Sequence, residues 1–219
     1  MENTQVLLTR RPSGAPVAED FEVRKTPVAQ IASGEALIEN HYVSLDAGFR
    51  NWMDEDSGDD VLQAMELDAP VMGLTVGRVI ESKHPTLVKG QLVMGRLAWE
   101  AYSIARDDFL IVLEESAVPL HYPLGILGDT GMSAYFGLND IGKPTAQETV
   151  VISAAGGAVG YVAGQIAKIM GAKRVVGVTS SAIKGERLLT ELNYDAFINH
   201  RSETIHEDIE SACPQGIDV

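Results

Sequence analysis

Residues 150–172 read "VVISAAGGAVGYVAGQIAKIMGA", and the reading of this stretch decides the fold. The apolar run at 149–155 meets Gly156 and Gly157, then passes without pause into helical spacing. A strand apolar nearly throughout is what a central position in a sheet, buried on both faces, requires. Val159, Val162, Ala163, Ile166, Ala167 and Met170 recur every three or four residues, forming one apolar stripe of a helix over 158–170. The turn between them, Ala155-x-Gly157-x-x-Gly160, is a variant of the G-x-G-x-x-G fingerprint. In that pattern Gly157 lets the backbone approach a pyrophosphate, and Gly160 lets helix pack closely on strand. Ala155 departs from the first glycine, a place that a small residue still fits. The helix from Ala158 would aim its free N–H groups and positive dipole end at the phosphate. A glycine turn alone is weak, since such joints also occur with no ligand; the surrounding pattern has to carry the reading.

That pattern is repeated strand and helix. After the glycine turn come a strand at 174–179, a helix at 182–192, a strand at 196–199, a helix at 204–212 and the start of a strand at 217–219. Upstream, 132–141 also has helical spacing. Repeated β-α units predict an α/β fold with a parallel, doubly wound sheet and right-handed crossovers. Such a sheet carries about six strands, so the chain reads as a fragment of a longer protein. The first half differs. Short runs rich in Val, Ile, Leu and Tyr lie at 5–9, 36–44, 75–82, 92–95 and 102–105, punctuated by Gly, Pro and Asn. They predict a β-rich, barrel-like domain over 1–125, followed by a partial nucleotide-binding domain over 126–219.

Composition narrows the partners. Over 219 residues, 45% are hydrophobic and 22% charged, an ordinary balance for a globular protein. No run approaches the ~18 apolar residues of a membrane span, and the polar Met1-Glu2-Asn3-Thr4 start lacks the apolar core of a secretion signal; a cytoplasmic location is expected. A net charge of −14 argues against nucleic acid or an anionic membrane as partner. An anionic cofactor stays open, because a helix dipole and a few cations outweigh the average field locally. The acidic stretch from Asp54 to Asp60 lacks calcium-loop spacing and reads as a solvated loop. Cys213 is the lone cysteine, and His41, His84, His121, His200 and His206 lack partners at metal-ligand spacing, so no metal site is expected.

The end of the second strand sets the cofactor. A site for an unphosphorylated ribose places Asp or Glu there, about 20 residues past the glycines. This chain offers Thr179, Ser180 and Ser181, with Lys184 and Arg187 behind them. Hydroxyl donors and cations suit a 2′-phosphate, so NADPH is expected over NADH. The alternative is that Lys184 and Arg187 simply face solvent on a helix.

Six segments together resemble a known family: "HYVSLDAGFRNWM", "VMGLTVGRVIES", "VKGQLVMGRLAWEAYSI", "LGDTGMSAYFGLNDIG", the glycine stretch itself, and "SSAIKGERLLTELNYDAFINH". The chain is similar to the zinc-independent medium-chain dehydrogenase/reductases, in the branch of leukotriene B4 12-hydroxydehydrogenase/prostaglandin reductase and bacterial curcumin-reductase-like enzymes. The resemblance implies a GroES-like catalytic domain followed by a Rossmann domain. It also implies NADPH-dependent reduction of the C=C bond of small-molecule enones and alkenals, usually in a homodimer. By matched positions, Gly157, Ala158, Val159 and Gly160 would hold the pyrophosphate and Lys184 the 2′-phosphate. His200 stands where many relatives place a tyrosine against the adenosine phosphate, and Thr179 and Ser180 fall at the ribose.

Met132 and Ser133, where the first helix begins, would border the nicotinamide. Tyr135 is the candidate catalytic proton donor, the alternative being a packed tyrosine bonded to backbone. Many animal relatives carry a Tyr within the loop that here reads Ser44-Leu45-Asp46-Ala47-Gly48-Phe49-Arg50; it is absent, and Asp46 and Arg50 read as a structural pair or as loop fixings. Zinc-dependent cousins ligate their metal through a Cys and a His-Glu pair, where this chain has Ser44 and Gly73-Leu74-Thr75. Quinone reduction, or NADPH binding without turnover, remain the alternatives to enone reduction.

Overall fold

In the first half, alternating side chains become antiparallel strands. The computed structural model describes residues 1–57, 63–106, 110–115 and 117–219, in two units, Met1–Leu124 and Gly125–Val219. In the first unit, β1 (Glu2–Leu8) pairs with β2 (Phe21–Pro27) and with the short β4 (Ala69–Pro70). A five-stranded antiparallel sheet is ordered β7-β3-β5-β6-β8, from β3 (Ala36–Val43), β5 (Met72–Ser82), β6 (Leu92–Ala98), β7 (Tyr102–Ala105) and β8 (Ile111–Leu113). Ala36, Ile38, Val79, Val93 and Ala105 close one core of this unit, and Leu8, Phe49, Met53, Met65 and Val71 a second. Asp54 of the acidic stretch is exposed enough to pair with Arg50; Gly58, Asp59 and Asp60 lie outside the described residues.

The second unit has the expected parallel sheet. β9 (Thr149–Ile152), β10 (Arg174–Thr179) and β11 (Ala196–Asn199) stand in the order β11-β10-β9, with Val175 opposite Val150 and Thr179 opposite Asn199. Period-two alternation sends Val150 and Val175 to one face and Val151 and Val176 to the other. The first face is covered by α1 (Asp129–Phe136), α2 (Ala158–Ile169) and α3 (Ala182–Glu191), through Ala134, Ala163, Ala167 and Leu188. The second is covered by α4 (Ile205–Ala212), with Ala212 and Cys213 against Val176 and Ile198. Helices on both faces make the sheet doubly wound. The 217–219 segment runs beside β9, Val219 accepting from the Val151 amide at 2.8 Å and donating to the Thr149 carbonyl at 3.2 Å.

Two boundaries moved for local reasons. β9 stops at Ile152, short of the expected 155, because Ala154 turns into the left-handed region at φ 47°. α1 starts at Asp129, three residues early, and beyond Phe136 the chain continues to Gly142 in wider π-type turns.

Candidate cofactor-binding site

The turn after β9 is held by its own backbone. The Gly157 amide donates to the Ala154 carbonyl at 2.8 Å, and the Ala155 amide to Val178 of β10 at 2.9 Å. Gly157 then caps α2 with extended geometry, no side-chain cap and no acidic residue in the first turn. The opening amides of a helix have no acceptor within it, and here no side chain supplies one. Gly157, Ala158 and Val159 are exposed, whereas Gly160 is buried. A β-carbon on Gly160 would sit 2.6 Å from both the Ala154 carbonyl oxygen and Ala155 Cα. The four residues therefore differ: the Gly157 amide is spent on Ala154, Ala158 and Val159 leave their amides facing solvent, and Gly160 brings the helix down onto the strand.

The next helix brings a cation to the same turn. Ser181 caps α3 by accepting from the Lys184 amide at 3.3 Å, which fixes Lys184 in the first turn. The stem of Lys184 lies over Gly156, where a β-carbon would come within 2.8 Å of Lys184 Cδ. Its ammonium has no partner among the described residues. Arg187 is different: it forms a two-bonded pair with Glu191, at 3.0 and 2.9 Å, one helical turn on. The hydrogen bond from Arg187 holds the Glu191 carboxyl below its ordinary range. Both side chains are exposed; Arg187 is taken up by Glu191, whereas the Lys184 stem lies on the glycine turn.

β10 and β11 end side by side, so the residues that follow them share the carboxyl edge of the sheet. There Ser180 is exposed, while Thr179 is buried with its hydroxyl accepting from the Ser181 amide at 3.4 Å. His200 is exposed and donates its amide to the Thr179 carbonyl at 3.1 Å. Arg201 follows, exposed, its guanidinium without a partner among the described residues. Sequence reasoning passed over it, although a cation just beyond the last strand residue was the available signal.

α1 packs against α2 in the same unit. Ala134 and Leu138 enter the core, leaving Met132, Ser133 and Tyr135 outside. Tyr135 is 49% exposed, its ring edge-on to Phe136 at 5.3 Å, and its hydroxyl has no partner among the described residues. It is not the packed, backbone-bonded tyrosine of the alternative reading. In the first unit, Asp46 and Arg50 do not pair with one another. Asp46 accepts from Ser44 Oγ at 2.8 Å, and Arg50 holds the carbonyls of Pro12 and Gly14, both at 2.9 Å. Asp46 fixes its own loop, and Arg50 fixes the loop at Pro12 and Gly14. At the position of the zinc cousins' His-Glu pair, the Trp99 indole covers Gly73, and a β-carbon there would lie 2.7 Å from Nε1. Thr75 is wholly buried, its hydroxyl donating to the Gly73 carbonyl at 3.3 Å. Among the described residues no three His, Cys, Asp or Glu side chains are grouped to hold a metal ion.

An uncapped helix start, a glycine turn under a lysine stem, and a free ammonium fit a dinucleotide that carries an additional phosphate. Comparison with known proteins points to NADP-dependent oxidoreductases. Residues 4–113 match the family described as the N-terminal domain of oxidoreductase. The chain is 37% identical over 217 residues to the NADPH-dependent curcumin reductase of Escherichia coli, covering 99% of this chain and 62% of that protein. It is 35% identical over 227 residues to the NADP-dependent 2-alkenal reductase of Nicotiana tabacum, covering 100% of this chain and 65% of that one. The crystal structure of CurA from Vibrio vulnificus in complex with NADPH superposes with a TM-score of 0.85 at 33% identity, over 98% of this chain and 63% of that one. The chain thus spans less than two thirds of the length of these relatives.

Proposed function

The chain belongs to the zinc-independent medium-chain dehydrogenase/reductases, and from that premise we propose that it acts in NADPH-dependent reduction of the C=C bond of α,β-unsaturated ketones and aldehydes. One observation carries the reading: the uncapped start of α2 lies beside a lysine whose stem is packed on the same glycine turn and whose charge is unspent. The names of the relatives, curcumin reductase and 2-alkenal reductase, supply the reaction class.

In this reading the bound dinucleotide supplies a hydride from its nicotinamide to the β-carbon of the enone. The chain's own residues bind and orient. The amides of Ala158 and Val159 hold the pyrophosphate, with Gly157 letting the backbone come close to it and Gly160 keeping the helix at the right depth. Lys184 takes the 2′-phosphate, with Ser180 and His200 as hydrogen-bond donors beside it and Thr179 supporting the edge from inside. Met132 and Ser133 border the nicotinamide from α1. Tyr135, with its hydroxyl unengaged, holds the proton destined for the α-carbon. No strongly basic side chain is required, because orientation and exclusion of water supply most of the effect. A homodimer in the cytoplasm completes the proposal.

A fluorescence titration with NADPH and NADH in parallel tests the cofactor, and consumption of NADPH with a small enone tests the reaction. Preferential NADPH binding with enone-dependent turnover is expected. Equal binding of the two cofactors overturns the 2′-phosphate assignment, and binding without turnover of any enone overturns the reaction for this chain.

A further inference from the structure

Tyr194 lies between α3 and β11, far along the chain from the glycine turn, yet its side chain ends on that turn. The loop holding it is pinned from several sides. Asn193 turns through the left-handed region at φ 59°, and the Tyr194 amide donates to the Leu188 carbonyl at 3.1 Å. Asp195 accepts from the Val175 amide at 2.6 Å and from Lys168 at 2.5 Å. From this anchor the ring enters a slot walled by glycines. A β-carbon on Gly164 of α2 would fall 2.0 Å from Tyr194 Cζ, and one on Gly177 of β10 3.1 Å from its Cε1. The residue is 4% exposed, and its hydroxyl donates to the Gly160 carbonyl at 2.6 Å.

A ring alone would fill that slot, and phenylalanine would fill it without burying a hydroxyl. Burying an unbonded hydroxyl costs about 1–3 kcal/mol, and here the bond that offsets the cost falls on Gly160. Gly160 is pressed on its other side against Ala154 and Ala155. The first turn of α2 is therefore held from both sides, by the strand end and by the tyrosine. Burial pushes the phenol up to about 12, so the hydroxyl stays a donor beyond the ordinary tyrosine range.

We propose that Tyr194 is a positioning residue: through the Gly160 carbonyl it sets where the amides of Ala158 and Val159 stand, and hence the affinity for the pyrophosphate of a dinucleotide. The inference rests on the cofactor reading above. It assigns Tyr194 to the pyrophosphate and not to the 2′-phosphate, which belongs to Lys184.

Binding of NADPH and of 2′-AMP, which carries the 2′-phosphate but no pyrophosphate, is measured on the chain and on Tyr194→Phe. Ile198→Val, a loss of one buried methylene on β11 away from the turn, serves as the control for general destabilisation. Tyr194→Phe is expected to weaken NADPH several-fold to about tenfold and to leave 2′-AMP unchanged, with Ile198→Val altering neither. Gly164→Ala, which displaces the ring while keeping the hydroxyl, gives the same selective loss by a second route, with folding of each variant checked by circular dichroism. If Tyr194→Phe binds NADPH as Ile198→Val does, or loses both ligands equally, the positioning role is overturned while the cofactor reading stands. If the unmodified chain binds no NADPH, the cofactor reading fails and the inference with it.

Discussion

Lys184 and Gly156 are in direct contact across the turn: a β-carbon on the glycine would come within 2.8 Å of Lys184 Cδ and 3.0 Å of its Cβ. The glycine turn and the lysine stem are therefore packed together, although 28 residues separate them in sequence. Whatever moves the glycine moves the charge.

Lys184→Ala is expected to erase the preference for NADPH over NADH. A charge-assisted hydrogen bond contributes about 1.5–3 kcal/mol, or roughly 10- to 100-fold in affinity, and NADH binding should barely change. Gly156→Ala keeps the charge but pushes the stem aside, so it should narrow the preference without abolishing it. Paired titrations with the two cofactors read both effects, and an unchanged ratio in Lys184→Ala would remove the lysine from the site.

Gly160→Ala should cost about 1–3 kcal/mol of stability, the usual range for forcing atoms into a packed site. The atoms in its way are the Ala154 carbonyl and Ala155 Cα, which are backbone and cannot swing clear. Urea denaturation checks this as a lower midpoint at unchanged slope. Gly157→Ala, with 3.1 Å to its nearest neighbour, should cost less and act mainly on NADPH affinity.

On the acid side, Asp20 carries a pH dependence of known sign. It is buried, accepts from the Val17 amide at 2.9 Å and from Arg10 Nε at 2.8 Å, and closes the loop after β1. The Val17 hydrogen bond foremost, and Arg10 with it, hold its carboxyl below the ordinary 3.8. A lowered folded-state value means stability that is present above the unfolded value and lost as pH falls through the folded one. Asp20→Asn should therefore be less stable at neutral pH and flatten the decline below about pH 4. Thermal melts between pH 2 and 7, compared for the two chains, measure it.

Tyr194 sets the opposite limit. Burial raises its phenol from 10.0 to about 12, so the unfolded chain gives up that proton first as pH rises. The stability it carries is complete below pH 10 and is lost on passing from pH 10 to 12, on the order of 2–3 kcal/mol. Tyr194→Phe should remove this alkaline slope, which pH-jump unfolding followed by tyrosinate absorbance would reveal. An alkaline slope that survives the substitution would place its origin elsewhere.

Where apolar runs are β-branched and sharply bounded, the sequence located strands to the residue, as at Tyr102–Ala105, Arg174–Thr179 and Ala196–Asn199. Their burial on the sheet is dictated locally, by side-chain shape and alternation. β2 at Phe21–Pro27 left no such signal. Its side chains are mostly exposed, Val23 at 68%, and it is a strand because β1 pairs with it along seven residues. The bend at Ala154 was equally hidden, since a left-handed alanine is held there by the Gly157 and Ala155 amide bonds and not by its own preference.

The site divides along the same line. The strand, the glycine turn and the apolar helix were legible by themselves, because glycine spacing and the free amides of a helix start are properties of consecutive residues. The absence of an acidic residue after β10 was likewise legible, and it pointed to the second phosphate. Which cation after β10 is paired, and what the glycine turn packs against, only the tertiary structure decided. Arg187 is occupied by Glu191, Lys184 leans on Gly156, and Tyr194 reaches Gly160 across 34 residues. A charge or a hydroxyl acquires its role from the groups folded against it, and nothing in the order of residues states that a tyrosine after α3 will end on a carbonyl in α2.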